Sequence, residues 1–245
     1  MIINHNIGAQ NTYRQLSINN SNQAKNMEKL STGLRINRGA DDAAGLSISE
    51  KMRAQIRGLD QASRNSQDAV SLIQTADGAL NESHAILQRM RELTVQASSD
   101  TNSGNERTAI SGELTQLAAT LTDISGTTKF NGQNLLDASA GAAGDGKLTI
   151  QTGANNGETF DIDLSNVDLK TIATNVSTID VSDATAAAAY LTTLDTAIQD
   201  VSDGRAYLGA AQNALEYTVN NLNSSSQNIQ SAESRIRDVD YALAA

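Results

Sequence analysis

Two histidines, His5 and His84, are the only imidazoles in the chain. They lie far apart in sequence, and neither has a second ligand at the spacing that a zinc site uses. His84 falls beside an apolar stripe between Leu80 and Leu87, where a partly buried helical position suits it better than catalysis. With no cysteine there is no thiolate nucleophile and no disulfide framework. The run Gly153-Ala154-Asn155-Asn156-Gly157 lacks the lysine and the helix start of a phosphate-binding loop. Serine, asparagine and aspartate are plentiful, but they never assemble a nucleophile with a base. The expectation is a protein that is not an enzyme and carries no cofactor or metal. One charged group stands out: Arg38, Asp41, Asp42, Arg53 and Arg57. Two readings are open for it, a set of side chains fixing the join between two helices, or scattered surface charge. Asp41 is the expected helix N-cap.

The elements that would hold these residues are helical. The chain has 245 residues, no proline or tryptophan and only 3% aromatic residues, so its core must come from Leu, Ile, Val, Met and many Ala. Missing proline fits long uninterrupted helices. From about Tyr190 the positions Leu194, Ala197, Val201, Leu208, Ala211, Leu215, Leu222, Ile229, Ala232, Ile236, Val239 and Leu243 keep a three-four spacing for some fifty residues. Such a helix would run about 80 Å, and its stripe leaves water only against other helices. A second helix carries Ile48, Met52, Ile56, Leu59, Ala62, Val70, Ile73, Ala76, Leu80, Leu87, Met90 and Leu93. Ser66 sits on this stripe, and Gly58 and Gly78 weaken the helix, so tertiary packing must hold it. A third, with Ile110, Leu114, Leu117, Leu121 and Ile124, follows a polar loop at 98–105, folds back antiparallel and ends at Gly126.

Residues 2 to about 34 read as a helix with a thin stripe (Ile3, Ile7, Tyr13, Leu16, Ala24, Met27, Leu30) that is marginal alone and ordered against partners. Between 127 and 184 the period changes. Lys147–Gln151 and Thr159–Leu164 alternate apolar with polar residues around the Gly153–Gly157 turn, which predicts a β-hairpin. Ala138–Gly144 reads as a surface loop, Ala186–Ala189 as the start of the last helix, and this polar middle as an exposed end. The fold class expected is mainly α, an elongated antiparallel helical bundle or coiled-coil rod with a small β-hairpin region. It divides into an N-terminal helical segment and connector (1–40), N-terminal rod helices (41–137), a short hairpin region (138–184) and a long C-terminal rod helix (185–245).

Net charge is −10 with the basic residues scattered, which argues against nucleic acid. No run of eighteen apolar residues is present, so no membrane insertion is expected. Met1–Ile7 shows no ordinary cleaved signal peptide. The absence of cysteine suits a secreted protein that must unfold, although cytosolic proteins can lack it too.

Several segments, taken in order, resemble bacterial flagellins. They are Ile3-Asn4-His5-Asn6-Ile7, Leu30-Ser31-Thr32-Gly33-Leu34-Arg35-Ile36-Asn37, Asp41-Asp42-Ala43-Ala44-Gly45-Leu46-Ser47-Ile48, Ile56-Arg57-Gly58-Leu59, Gln74–Leu80, Leu87–Leu93, Phe130-Asn131-Gly132, Asn220-Asn221-Leu222 and Ser231–Asp240. The resemblance implies a subunit that polymerises with copies of itself into the flagellar filament for motility, secreted to the cell exterior through the flagellar export apparatus with a chaperone. Hook-associated and cap proteins would be its further partners. A hook–filament junction adaptor and a secreted coiled-coil adhesin are the alternatives. Flagellins of this kind continue for some thirty to forty residues beyond the segment matching Arg235–Asp240. If the N-terminal helix lacks that mate, residues 1 to about 33 should be frayed and polymerisation poor. The resemblance also implies binding by Toll-like receptor 5 of animal hosts through Gln88, Arg89, Leu93, Gln96, Ile110 and Glu113. There Arg89 and Leu93, four apart, would join a guanidinium to an apolar anchor, with Glu113 opposite. The primary role read for the same patch is packing against the next subunit, with Arg89 and Glu113 as an ordinary solvated pair and receptor binding as an additional property of the free subunit.

Overall fold

In the computed structural model, residues 6–141 and 143–244 are described, without the side chains of residues 243 and 244. Ile3, His5 and the Leu243 side chain, all read from the sequence, lie outside the described residues. The first helix, α1 (Ile7–Thr32), opens where the Asn6 side chain accepts the Ala9 amide and closes at Gly33. Gly33 takes a left-handed φ of 71° and donates its N–H to the Lys29 carbonyl, a conformation that only glycine adopts at little cost. The other long elements are α2 (Ala43–Ala97), α3 (Gly104–Thr127) and α5 (Ala184–Arg237). The molecule is mainly α with small antiparallel sheets.

Two compact units divide the chain. One is made of residues 1–60 and 223–245, the other of residues 61–222. The second contains a continuous core. Ile73, Ala76, Leu80, Leu87 and Met90 of α2 meet Leu114 and Leu121 of α3 and Leu194, Val201, Leu208 and Leu215 of α5, all essentially buried. The polar positions on the α2 stripe are satisfied locally: Ser66 donates to the Ala62 carbonyl at 2.9 Å and Thr94 to the Met90 carbonyl at 2.7 Å. At the α2–α3 turn, Arg107 donates Nε to the Ala97 carbonyl at 3.0 Å, satisfying an end of α2 that has no partner within the helix. Glu106 accepts the Ser103 hydroxyl and amide at the start of α3, and those bonds, the hydroxyl first, hold its carboxyl below the usual range. α3 runs through Gly126 to Thr127, one residue beyond the expected stop.

The middle of the chain holds the predicted hairpin, β3 (Lys147–Gln151) paired antiparallel with β4 (Thr159–Asp163), Leu148 opposite Ile162. It also holds more. A two-residue turn at Asn131-Gly132 joins β1 (Lys129–Phe130) to β2 (Gln133–Asn134), and a 3-10 turn at Leu164–Val167 leads into a helix, α4 (Leu169–Val176). The expected polar, exposed middle is therefore corrected: Leu135, Leu136, Ile162, Leu164, Leu169 and Val176 are fully buried in the core. The Ala138–Gly144 stretch is not a free surface loop either, since Ala140 is buried and its carbonyl accepts the Gly146 amide at 2.9 Å. α5 carries this layer. Tyr190 donates its hydroxyl to the Val176 carbonyl at 2.6 Å, and burial raises its pKa. Tyr207 accepts the Asp163 amide at 2.8 Å. A Cβ at Gly204 would come within 2.4 Å of the Val167 side chain, so the 3-10 turn seats on α5 only where a side chain is missing.

Candidate assembly interface

The unit formed by residues 1–60 and 223–245 is built around a connector between α1 and α2. Its backbone pairs with the end of α5: the Arg35 amide donates to the Arg237 carbonyl at 2.7 Å and the Val239 amide to the Gly33 carbonyl at 3.0 Å, with Leu34 bridging Asp238. The Arg35 guanidinium also donates to the Ile236 carbonyl. Ile36 is 1% exposed, and Gly45 leaves the room it needs: a Cβ there would lie 2.8 Å from the Ile36 side chain and 2.4 Å from the Asp42 carboxylate.

The charged cluster resolves residue by residue. Asp42, not Asp41, is the N-cap of α2. Its carboxylate accepts the Gly45 amide at 2.8 Å, while its carbonyl accepts the Leu46 amide at 3.0 Å, the first bond of the helix. Asp41 turns the other way and accepts the Asn37 and Arg38 amides at 3.2 and 3.0 Å. Those amides, Arg38 first, hold its carboxyl below the usual range. Arg38 pairs with Glu28 at 3.0 Å. Arg53 reaches Glu50 at 3.3 Å, and Arg237 reaches the same Glu50 oxygen at 2.7 Å. The Arg237 hydrogen bond is the main reason the Glu50 pKa is lowered. Arg57 is exposed. Arg38, Asp41 and Asp42 thus hold the connector, whereas Arg53 pairs within its own helix and Arg57 is surface charge; Glu50, Arg237 and Arg35, which tie to the end of α5, were not among the residues singled out. Only Asp42–Gly45 carried a local signal. The Glu50–Arg237 pair spans 187 positions and left none.

α1 contributes differently. None of its residues is buried, and Ile7, Tyr13, Leu16, Ile18 and Met27 are between 49% and 75% exposed. From the far end of the chain it is met by Tyr241, at the start of α6 (Tyr241–Ala244), whose hydroxyl donates to the Leu30 carbonyl at 2.6 Å. The α2 and α5 stripes are also less covered here: Ile48 is 46% exposed, and Met52, Ile56, Ile229, Ala232 and Ile236 are half-buried.

The second surface lies on α2 and α3. Arg89 donates Nε and Nη2 to one Glu113 oxygen at 3.2 and 3.0 Å and Nη1 to Glu92 at 3.3 Å. Those bonds, Glu113 first, raise its pKa. Gln88 and Gln96 are exposed beside it, and Gln88 bonds His84 at 2.9 Å. Leu93 and Ile110 are 3% and 7% exposed and face the core. Leu93 therefore cannot be the surface anchor next to Arg89; Val95, 47% exposed, is the open apolar side chain of this stretch. Among the described residues no group of His, Cys, Asp or Glu could hold a metal ion, and no helix is long and apolar enough to cross a membrane.

Known proteins share this arrangement. The bacterial flagellin N-terminal helical region matches residues 3–141, and the bacterial flagellin C-terminal helical region matches residues 191–245. A flagellin of Halalkalibacterium halodurans is 55% identical over 242 residues, covering 99% of this chain and 87% of that protein. A flagellin of Bacillus subtilis is 48% identical over 272 residues, covering 99% and 88%. The crystal structure of Bacillus cereus flagellin aligns with a TM-score of 0.58 and 35% identity over 69% of this chain and 94% of that one. The chain belongs to the bacterial flagellin family and is a structural subunit of the flagellar filament.

Proposed function

We propose that the subunit joins the filament by burying the α1 stripe and the half-covered ends of α2 and α5 against copies of itself, and that it does no chemistry of its own. The observation that carries this reading is α1: a helix of 26 residues with none buried and five large apolar side chains open to water. In water such a helix gains too little from its own bonds to offset its ordering entropy, so covering its stripe, at about 25 cal/mol per Å² of apolar surface, is the available source of stability. In this reading the chain is secreted through the flagellar export apparatus with a chaperone, works outside the cell, and meets the hook-associated and cap proteins at the filament ends.

The test is seeded polymerisation onto filament fragments, followed by sedimentation and electron microscopy. The chain should add to the seeds, while a variant with Tyr13, Leu16 and Met27 all changed to Ser should stay in the supernatant with its unfolding midpoint unchanged. Equal incorporation of that variant would refute the reading.

A second role rests on the Arg89 surface. Gln88, Arg89, Gln96 and Glu113 form an exposed polar patch with fixed geometry, the kind of surface Toll-like receptor 5 would bind on the free subunit, with Leu93 and Ile110 holding the two helices together beneath it.

A further inference from the structure

We propose that Asn156, at the tip of the β3–β4 hairpin, is a site of spontaneous deamidation, and that the fold directs this reaction to it ahead of the other asparagines of the same or similar sequence. The chain has two Asn-Gly pairs, Asn131-Gly132 and Asn156-Gly157, and a third asparagine, Asn155, adjoins the second. In the reaction the following residue's backbone nitrogen, giving its proton to water, attacks the asparagine Cγ. A bond forms between that nitrogen and Cγ, the Cγ–Nδ2 bond breaks, and ammonia leaves. Water then opens the cyclic imide at either carbonyl, giving aspartate or isoaspartate with no change of oxidation state. Glycine at the attacking position removes the Cβ that would hinder the approach.

The three asparagines stand in different conditions. Asn155 is engaged: its amide and its side-chain Nδ2 donate to Glu158 at 2.9 and 2.8 Å. Asn131 sits at φ 49° in a two-residue turn clamped by strand pairing on both sides, Phe130 opposite Gln133. Asn156 is exposed in the longer link between Gln151 and Thr159, next to Gly157 at φ 87°. Among the described residues no hydrogen bond engages the Asn156 side chain or the Gly157 amide, so the attacking nitrogen and its target can rotate toward each other. A carboxylate formed here would stand two residues from Glu158. An isoaspartate would also lengthen the backbone inside the turn that the Glu158 amide closes on the Asn155 carbonyl at 3.3 Å.

The experiment incubates the full folded chain at mildly alkaline pH and follows each site by peptide mapping in ¹⁸O-labelled water, with isoaspartate scored by methyltransferase labelling. Asn156 should convert several-fold faster than Asn131 and Asn155, and Asn156→Gln should abolish the first acidic species to appear. In denaturant the two Asn-Gly sites should converge in rate, because the clamp on Asn131 is gone. The proposal is overturned if Asn131 or Asn155 converts first in the folded chain, or if Asn156 keeps its lead over Asn131 after unfolding.

Discussion

α1 and α4 are both amphipathic helices, and the shorter one is the better buried. α4 has eight residues, of which Leu169, Ile172, Ala173 and Val176 are buried, and it is fixed by the Asp168 cap and the Tyr190 hydroxyl. α1 has 26 residues and buries none. Length therefore says little about what holds a helix; what decides is whether its apolar face finds cover within its own chain. In the unit of residues 61–222 that cover is internal. In the other unit backbone pairing secures the start of the connector and the Asp41 and Asp42 carboxylates its end, yet the helix before it is left open. A filament subunit needs both kinds of region, one that folds alone and one whose stability is supplied by its neighbours.

The contrast can be broken most forcefully by exchanging the consequences of similar changes. Leu194→Ala, in the core, should cost about 2–5 kcal/mol in denaturant unfolding, whereas Leu16→Ala in α1 should alter monomer stability by no more than about 0.5 kcal/mol and act only on assembly. A large loss from Leu16→Ala in the monomer would mean that α1 is covered after all. Next in size is Gly45→Ala, which forces a Cβ against Ile36 and should cost about 1–3 kcal/mol, seen as faster proteolysis between residues 33 and 42. Asp42→Ala should remove a cap and cost about 1 kcal/mol, a larger loss in α2 helicity than Asp41→Ala produces.

Acid supplies a subtler test. Asp41 and Glu50 have pKa values lower in the folded chain than their ordinary values, so their contribution is complete above the ordinary carboxylate range and drains away as pH falls through the lowered values. Protection factors of the Arg35 and Val239 amides, corrected for the pH dependence of intrinsic exchange, should fall in that acid window and stay flat around neutrality, and Glu50→Gln should blunt the response. Smallest of all for stability is Arg89→Ala. Its pair with Glu113 is exposed on both sides, so the unfolding midpoint should hold while receptor signalling falls.

Much of this was legible in the sequence. The stripes of α2, α3 and α5 are long and regular, and the hairpin alternates cleanly around its turn. α4 was equally readable, with Leu169, Ile172, Ala173 and Val176 at helical spacing after an Asp cap, but the polar residues around it drew the whole middle toward the surface. Leu93 and Ile110 lie on the same stripes that form the core, and the periodicity of α2 and α3 marks them as core positions. Asp41 and Asp42 offer two caps one residue apart, and only the backbone geometry chooses between them. The Glu50–Arg237 and Arg35–Ile236 contacts join opposite ends of the chain, and no local pattern announces a partner two hundred residues away.

The account turns on α1 being uncovered in the free subunit and covered in the polymer. Hydrogen exchange measured on the full chain, as monomer and after seeded assembly, reads this directly. The account predicts fast exchange across Ile7–Thr32 and slow exchange across Leu169–Val176 in the monomer, with protection of the first segment rising sharply in the filament. Slow exchange across Ile7–Thr32 in the monomer, equal to that of α4, would contradict it.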